Sequence, residues 1–137
     1  MEELSNNLIK KINKLCDKGE NLLDEGKFSE AIAVFEQALA ALPEPYIQWE
    51  ISTMLTVAIG DAHFYNENYV EALSLFQESC LTPDGLNNPF VHLRLGQCYF
   101  ENNNMEKARV ELQKAFDLEG EDVFEDEDAK YLNLIST

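Results

Sequence analysis

Apolar residues recur along this chain at three- and four-residue intervals, the spacing that lines one face of an α-helix. The clearest run lies between Gly26 and Pro43, where Ala31, Phe35, Ala38 and Leu42 form one stripe. Gly26 suits the left-handed turn that ends a preceding helix, Ser29 is the expected N-cap, and Pro43 cannot continue the helix. Ala31 and Ala38 are small enough to let a facing helix come close, with Phe35 filling the gap between them. Upstream, Leu8, Ile12, Leu15, Leu22 and Leu23 predict a first helix over 4–25, capped by Ser5. Downstream, the same reading predicts helices over about 46–66 and 69–80, a fifth opened by Asn88-Pro89, and a sixth over about 105–118 capped by Asn104. Tyr46 and Trp49 ride on extra turns of the third helix, where packing is the expected role of the single Trp. Thr82-Pro83-Asp84-Gly85 reads as a turn.

The pattern returns twice. Gly19, Gly60 and Gly96 are each followed twelve positions later by an alanine, at Ala31, Ala72 and Ala108. Seven positions further on stand Ala38, Ser79 and Ala115, with Phe35, Phe76 and Leu112 between. Phe28, Tyr69 and Met105 mark the turns. This register resembles the tetratricopeptide repeat, a helix–turn–helix unit of about 34 residues. Pro43 matches its closing proline; the second repeat has Pro83 one residue early, and the third has Gly120. Departures fall in the first helices: Leu15, Thr56 and His92 stand at the family's tryptophan place, and Leu22, His63 and Tyr99 at its tyrosine place. The repeats are spaced by 41 and then 36 residues, with the insertions in the connections.

The resemblance implies an all-α fold of three helical hairpins stacked in a right-handed superhelix, one domain over 1–137. The repeats would span about 12–45, 53–86 and 89–122, with the tail 123–137 as a capping helix. Tyr131, Leu132 and Ile135 would pack that helix onto the sixth, and Asp126 or Asp128 would stand near its N-terminus. It also implies a concave groove lined by the first helix of each repeat. Carried residue by residue, the groove-facing candidates are Glu20, Leu23 and Asp24 from the first repeat. The second gives Met54, Asp61, Phe64 and Tyr65, and the third gives Phe90, Gln97, Phe100 and Glu101. Asn13, Cys16, Val57 and Leu93 share those faces. Carboxylates beside aromatics suit a partner segment with apolar anchors and Lys or Arg next to them. The family's co-chaperone class grips an acidic peptide with a clamp of Lys, Arg and Asn. Here its places hold Cys16, Glu20, Val57 and Asp61, and Arg94 alone does not rebuild it.

Charge narrows the partner. The chain has 26 acidic and 10 basic residues, a net of -16. That argues against nucleic acid and anionic membranes, and favours a basic protein drawn in by long-range attraction. The plainer alternative is that acidity serves solubility alone. No run of residues has the length and apolarity of a membrane span, and the start lacks a secretory signal pattern. Three scattered cysteines, with no CxxC or Cys/His pair, read as reduced thiols in a cytoplasm. His63 and His92 occupy packing places in different repeats, and no nucleophile with an oriented base is visible. Seven of the ten residues 119–128 are acidic, but without the ligand alternation of a calcium loop. The expectation is a binding protein, with no enzyme activity, cofactor or metal. Its sharper form is an immunity-type protein, which such small acidic tetratricopeptide chains resemble, neutralising a basic bacterial toxin domain. The alternatives are a scaffold or secretion chaperone holding an amphipathic client segment, and a self-associating module. Oligomeric state is open at this level.

Overall fold

The computed structural model describes residues 3–136. The outermost positions of the expected domain, 1, 2 and 137, lie outside them. Among the described residues seven α-helices follow one another: α1 (Asn6–Asp24), α2 (Phe28–Ala40), α3 (Ile51–Tyr65), α4 (Tyr69–Ser79), α5 (Pro89–Glu101), α6 (Met105–Glu119) and α7 (Ala129–Ile135). Each packs chiefly on the next, giving three antiparallel hairpins in a row and a final capping helix. No strand occurs among the described residues, and no helix there is long and apolar enough to cross a membrane.

Local chemistry sets the boundaries. Ser5 Oγ accepts from Leu8 N–H, Asn88 Oδ1 from Phe90 and Val91, Asn104 Oδ1 from Lys107, and Asp128 Oδ1 from Lys130. Each satisfies an orphan donor of a first turn. Gly26 ends α1 at φ 74°, and the Gly26 and Lys27 N–H groups return to Leu23 and Leu22 carbonyls. Ser29 is not the cap: α2 begins one residue before it, because Ala31 N–H already bonds the Lys27 carbonyl. The third helix is also shorter than expected. Residues 46–48 form a separate 3-10 turn, and Trp49 is extended (φ -94°, ψ 138°). Its indole Nε1–H donates to the Pro43 carbonyl at 2.8 Å, and Ser52 Oγ–H donates to the Trp49 carbonyl at 2.6 Å. Trp49 thus closes the connection between the first two hairpins.

The core repeats with the sequence. Ala31, Phe35 and Ala38, then Ala72, Phe76 and Ser79, then Ala108, Leu112 and Ala115 are all fully or almost fully buried. A Cβ on Gly19 would lie 2.6 Å from the Phe35 ring, one on Gly60 2.8 Å from Phe76, and one on Gly96 2.5 Å from Leu112. The departures from the family pattern are internally matched. Thr56 and Ser79 meet as a buried hydroxyl pair at 2.8 Å, and each bonds its own helix at Ser52 and Leu75 carbonyls. His92 bonds Glu111 through Nδ1 and the Leu86 carbonyl through Nε2, both at 2.6 Å. In the turn after α4 it is Asp84 that takes the positive φ (59°). Gly85 is required for another reason: its Cβ would stand 1.7 Å from the Ser79 carbonyl oxygen.

Gly60→Ala is expected to destabilise the chain by about 1–3 kcal/mol through overpacking on Phe76. Gly85→Ala should cost more, because its added methyl meets backbone rather than a mobile ring. Urea unfolding of both variants checks the order; a neutral Gly60→Ala would contradict the close approach.

Candidate functional site

The concave face is formed by α1, α3 and α5, and α5 is the most enclosed, with every residue from Val91 to Cys98 buried. At its centre lies Arg94, 3% exposed. Its Nε–H donates to Asp61 Oδ1 at 2.9 Å, Nη1–H to Gln97 Oε1 and Glu127 Oε1 at 2.8 Å, and Nη2–H to the Tyr65 hydroxyl at 2.8 Å. The guanidinium carbon lies 4.5 Å from the Phe90 ring centroid, 4.8 Å from Phe64 and 5.3 Å from Tyr65. A planar fork with five donors suits such a setting, where a lysine would not. Burial works against the Arg94 charge, but Asp61, Tyr65 and Glu127 outweigh it and raise its pKa. Burial pushes the Asp61 carboxyl up to about 6; Arg94 draws it down part of the way, and Glu127 pushes it up again.

The tail enters the groove. Glu127 Oε1 also accepts from Gln97 Nε2–H at 2.6 Å. The Tyr131 hydroxyl donates to Glu101 Oε2 at 2.9 Å, Lys130 Nζ pairs with the same oxygen at 3.1 Å, and the Tyr131 ring meets Phe100 edge-on at 5.2 Å. Phe124 and Tyr131 are buried with Leu93, Leu112 and Ala115. Tyr131, Leu132 and Ile135 do pack against the α6 side, as expected, but the tail also covers α5.

The eleven candidate residues therefore divide. Glu20, Leu23, Met54 and Asp61 line one open groove of about 540 Å³, together with Glu50, Thr53, Val57, Ala58 and Asn88. Phe64, Tyr65 and Phe90 gather around Arg94 instead, with Tyr65 still 54% exposed and stacked on Phe28 at 6.2 Å. Gln97, Phe100 and Glu101 belong to the tail contact. Gln97 is fully buried and cannot meet a partner while the tail is seated, which corrects its placement on an open face. Leu93 and Cys16 are likewise buried. Asp24 is exposed but does not line the groove. Glu50, Thr53, Ala58 and Asn88 were missed. Glu50 was legible, four positions before Met54 on one helical face; Asn88 comes from the next repeat's cap. Glu127 gave no signal beyond membership of an acidic run.

No group of three or more His, Cys, Asp or Glu side chains is placed to hold a metal among the described residues. The Cys98 thiol is pushed up to about 12 by burial, so it stays protonated and unreactive.

This stack of hairpins with a groove on its inner side is a tetratricopeptide architecture. One tetratricopeptide repeat profile matches residues 16–85 and another matches 63–123, so the chain belongs to the tetratricopeptide repeat family. Comparison with curated protein sequences gives no match. Among solved structures, the first such domain of Spaghetti (RPAP3), bound to the HSP90 peptide SRMEEVD, is 20% identical with a TM-score of 0.71, covering 92% of this chain and 88% of that one. The Yersinia enterocolitica type III secretion chaperone SycD, in complex with a peptide of the translocator YopD, is 14% identical with a TM-score of 0.74, covering 98% and 94%. PcrH in complex with the chaperone-binding region of PopB is 16% identical with a TM-score of 0.73, covering 98% and 99%. At these identities the likeness concerns the fold.

Arg94→Ala strands two partly buried carboxylates, so it should destabilise by about 3–5 kcal/mol and strip amide-exchange protection from residues 124–135. Arg94→Lys should recover only part of this; full recovery would show that the fork geometry is dispensable. For Asp61, the folded pKa of about 6 exceeds the ordinary 3.8. The folded state therefore holds the proton more tightly, and this residue's contribution to stability falls as pH rises from about 4 to about 6. The stability difference between the wild type and Asp61→Asn, followed by urea unfolding across that range, should decline with the same sign.

Proposed function

We propose that this chain is a protein-binding module whose open groove, from Glu20 to Asp61, holds a basic, amphipathic segment of a protein partner. Membership of the tetratricopeptide family supports the protein-binding class. The observation that carries the finer reading is the composition of the open groove. Leu23, Met54, Val57 and Ala58 supply an apolar floor, and the exposed Glu20 and Glu50 supply the charge, Asp61 being paired with Arg94. Arg94, beside Asp61 at the groove's edge, is buried and faces two carboxylates, so it offers nothing to an acidic ligand. An apolar floor with acidic edges fits side chains such as Leu or Met flanked by Lys or Arg.

Two roles use such a groove. Holding a client segment, as an adaptor or secretion chaperone does, needs the groove alone; the SycD and PcrH structures with bound client regions support it by likeness of fold. Neutralising a basic toxin domain, as an immunity protein does, draws on the charge of -16 over the whole surface. Salt separates the two, because long-range steering is screened and apolar burial is not.

Capture of a partner from native lysate, with low- and high-salt washes, tests the reading. A partner with a basic amphipathic segment is expected, and Glu20→Lys with Glu50→Lys should weaken it by roughly 1 kcal/mol, about fivefold. Steep loss in salt favours neutralisation and retention favours client holding. An acidic partner, or one indifferent to both reversals, would sink the proposal.

A further inference from the structure

The groove leaves unexplained an open cleft at the N-terminal end of the stack. The α1–α2 hairpin packs on α3 through one side. Elsewhere these two helices alone line an open cleft of about 990 Å³. Leu15, Ala40 and Ala41 give that cleft an apolar floor, and Lys10, Lys11 and Lys14 stand around it with a single carboxylate, Asp17, so the rim is net basic. None of the three lysines has a carboxylate within salt-bridge distance among the described residues. In a chain with 26 acidic and 10 basic residues, three unpaired cations within five positions form a local exception.

The opposite end of the stack has the complementary make-up. Phe116, Leu132 and Ile135 are only partly buried where α7 caps α6, and they line a shallow depression with Glu121. Leu132 also borders a second depression, lined by Glu121, Asp122 and Glu125. This end therefore has an apolar centre with an acidic rim, and the other has an apolar centre with a basic rim. Repeat stacks are built by laying one hairpin on the next, so an end face that keeps an exposed apolar centre is a surface on which another unit can be laid.

We propose that the lysine-rimmed face of α1 and α2 docks the acidic C-terminal end of a second copy of this chain, head to tail. The two faces differ, so the contact is heterologous and leaves a free face at each end of the pair, from which further copies add. The overall charge opposes this association at long range. At about 0.15 M salt, however, charges more than about 8 Å apart are largely screened, and the opposed rims meet well within that distance.

Sedimentation velocity of the full chain over a concentration series, at about 0.15 M salt, tests this. The wild type should sediment faster as concentration rises. Lys10→Glu with Lys14→Glu should remain monomeric, and so should Glu121→Lys with Glu125→Lys. Mixing the two variants should restore association, because each then supplies a face that complements the other; an unfolded variant could not do so. A wild type that stays monomeric throughout, reversal variants that associate as it does, or a mixture that stays monomeric would each overturn the proposal.

Discussion

The close approach of a glycine backbone to a large apolar side chain, made once in every hairpin, is the contact on which the rest of the molecule rests. Phe35 lies against Gly19, Phe76 against Gly60 and Leu112 against Gly96, each within the distance a methyl group would need. The missing Cβ lets the two helices of a hairpin come together, and the small residues at 31, 38, 72, 79, 108 and 115 keep the second helix close along its length. Each hairpin then offers a flat apolar side to the next. The stack, the order of its helices and the concave face formed by α1, α3 and α5 follow from that repeated contact. Leu112 shows that the requirement is volume above glycine rather than aromaticity.

Arg94 is the second organising element, and it acts between units rather than within one. Its guanidinium joins Asp61 on α3, Gln97 on its own helix and Glu127 in the tail, beneath the rings of Phe64, Tyr65 and Phe90. Burying a charge is costly unless it is paired and hydrogen-bonded, and here the pairing spans two repeats and the cap. The cation closes the third-repeat end of the groove and takes the tail as its cover. The remaining first- and second-repeat part keeps Glu20 and Glu50 exposed to solvent. The site's acidic character thus depends on where one arginine is buried.

Features that recur were legible in the sequence, and features made by single contacts between distant segments were not. The helices and the caps at Ser5, Asn88 and Asn104 follow from spacing and local chemistry, whereas the hairpins and the groove positions Glu20, Leu23, Met54 and Asp61 came from the resemblance to the repeat family. Thr56 and Ser79 look like two independent lapses from the family pattern. Only the fold shows that they are one hydroxyl pair across 23 positions. Trp49 reads as part of a helix because its periodicity allows it, yet the Pro43 carbonyl claims its indole and the backbone extends. Gln97 sits at a groove position by register, and only the long return of the tail, 30 residues on, buries it against Glu127.

The linear stack also separates charges that a compact globule would mix. Lysines gather at the first hairpin, the acidic run 119–128 at the last, and carboxylates along the open groove between them. Long-range attraction responds to the whole field, which is strongly negative, so any basic protein would be drawn to the molecule before it met a particular face. Contact between end faces responds only to charges within a Debye length. Added salt therefore screens the long-range steering of any basic partner and relieves the repulsion between copies. One chain can keep both surfaces without either blocking the other, because the fold places them on different faces of the stack.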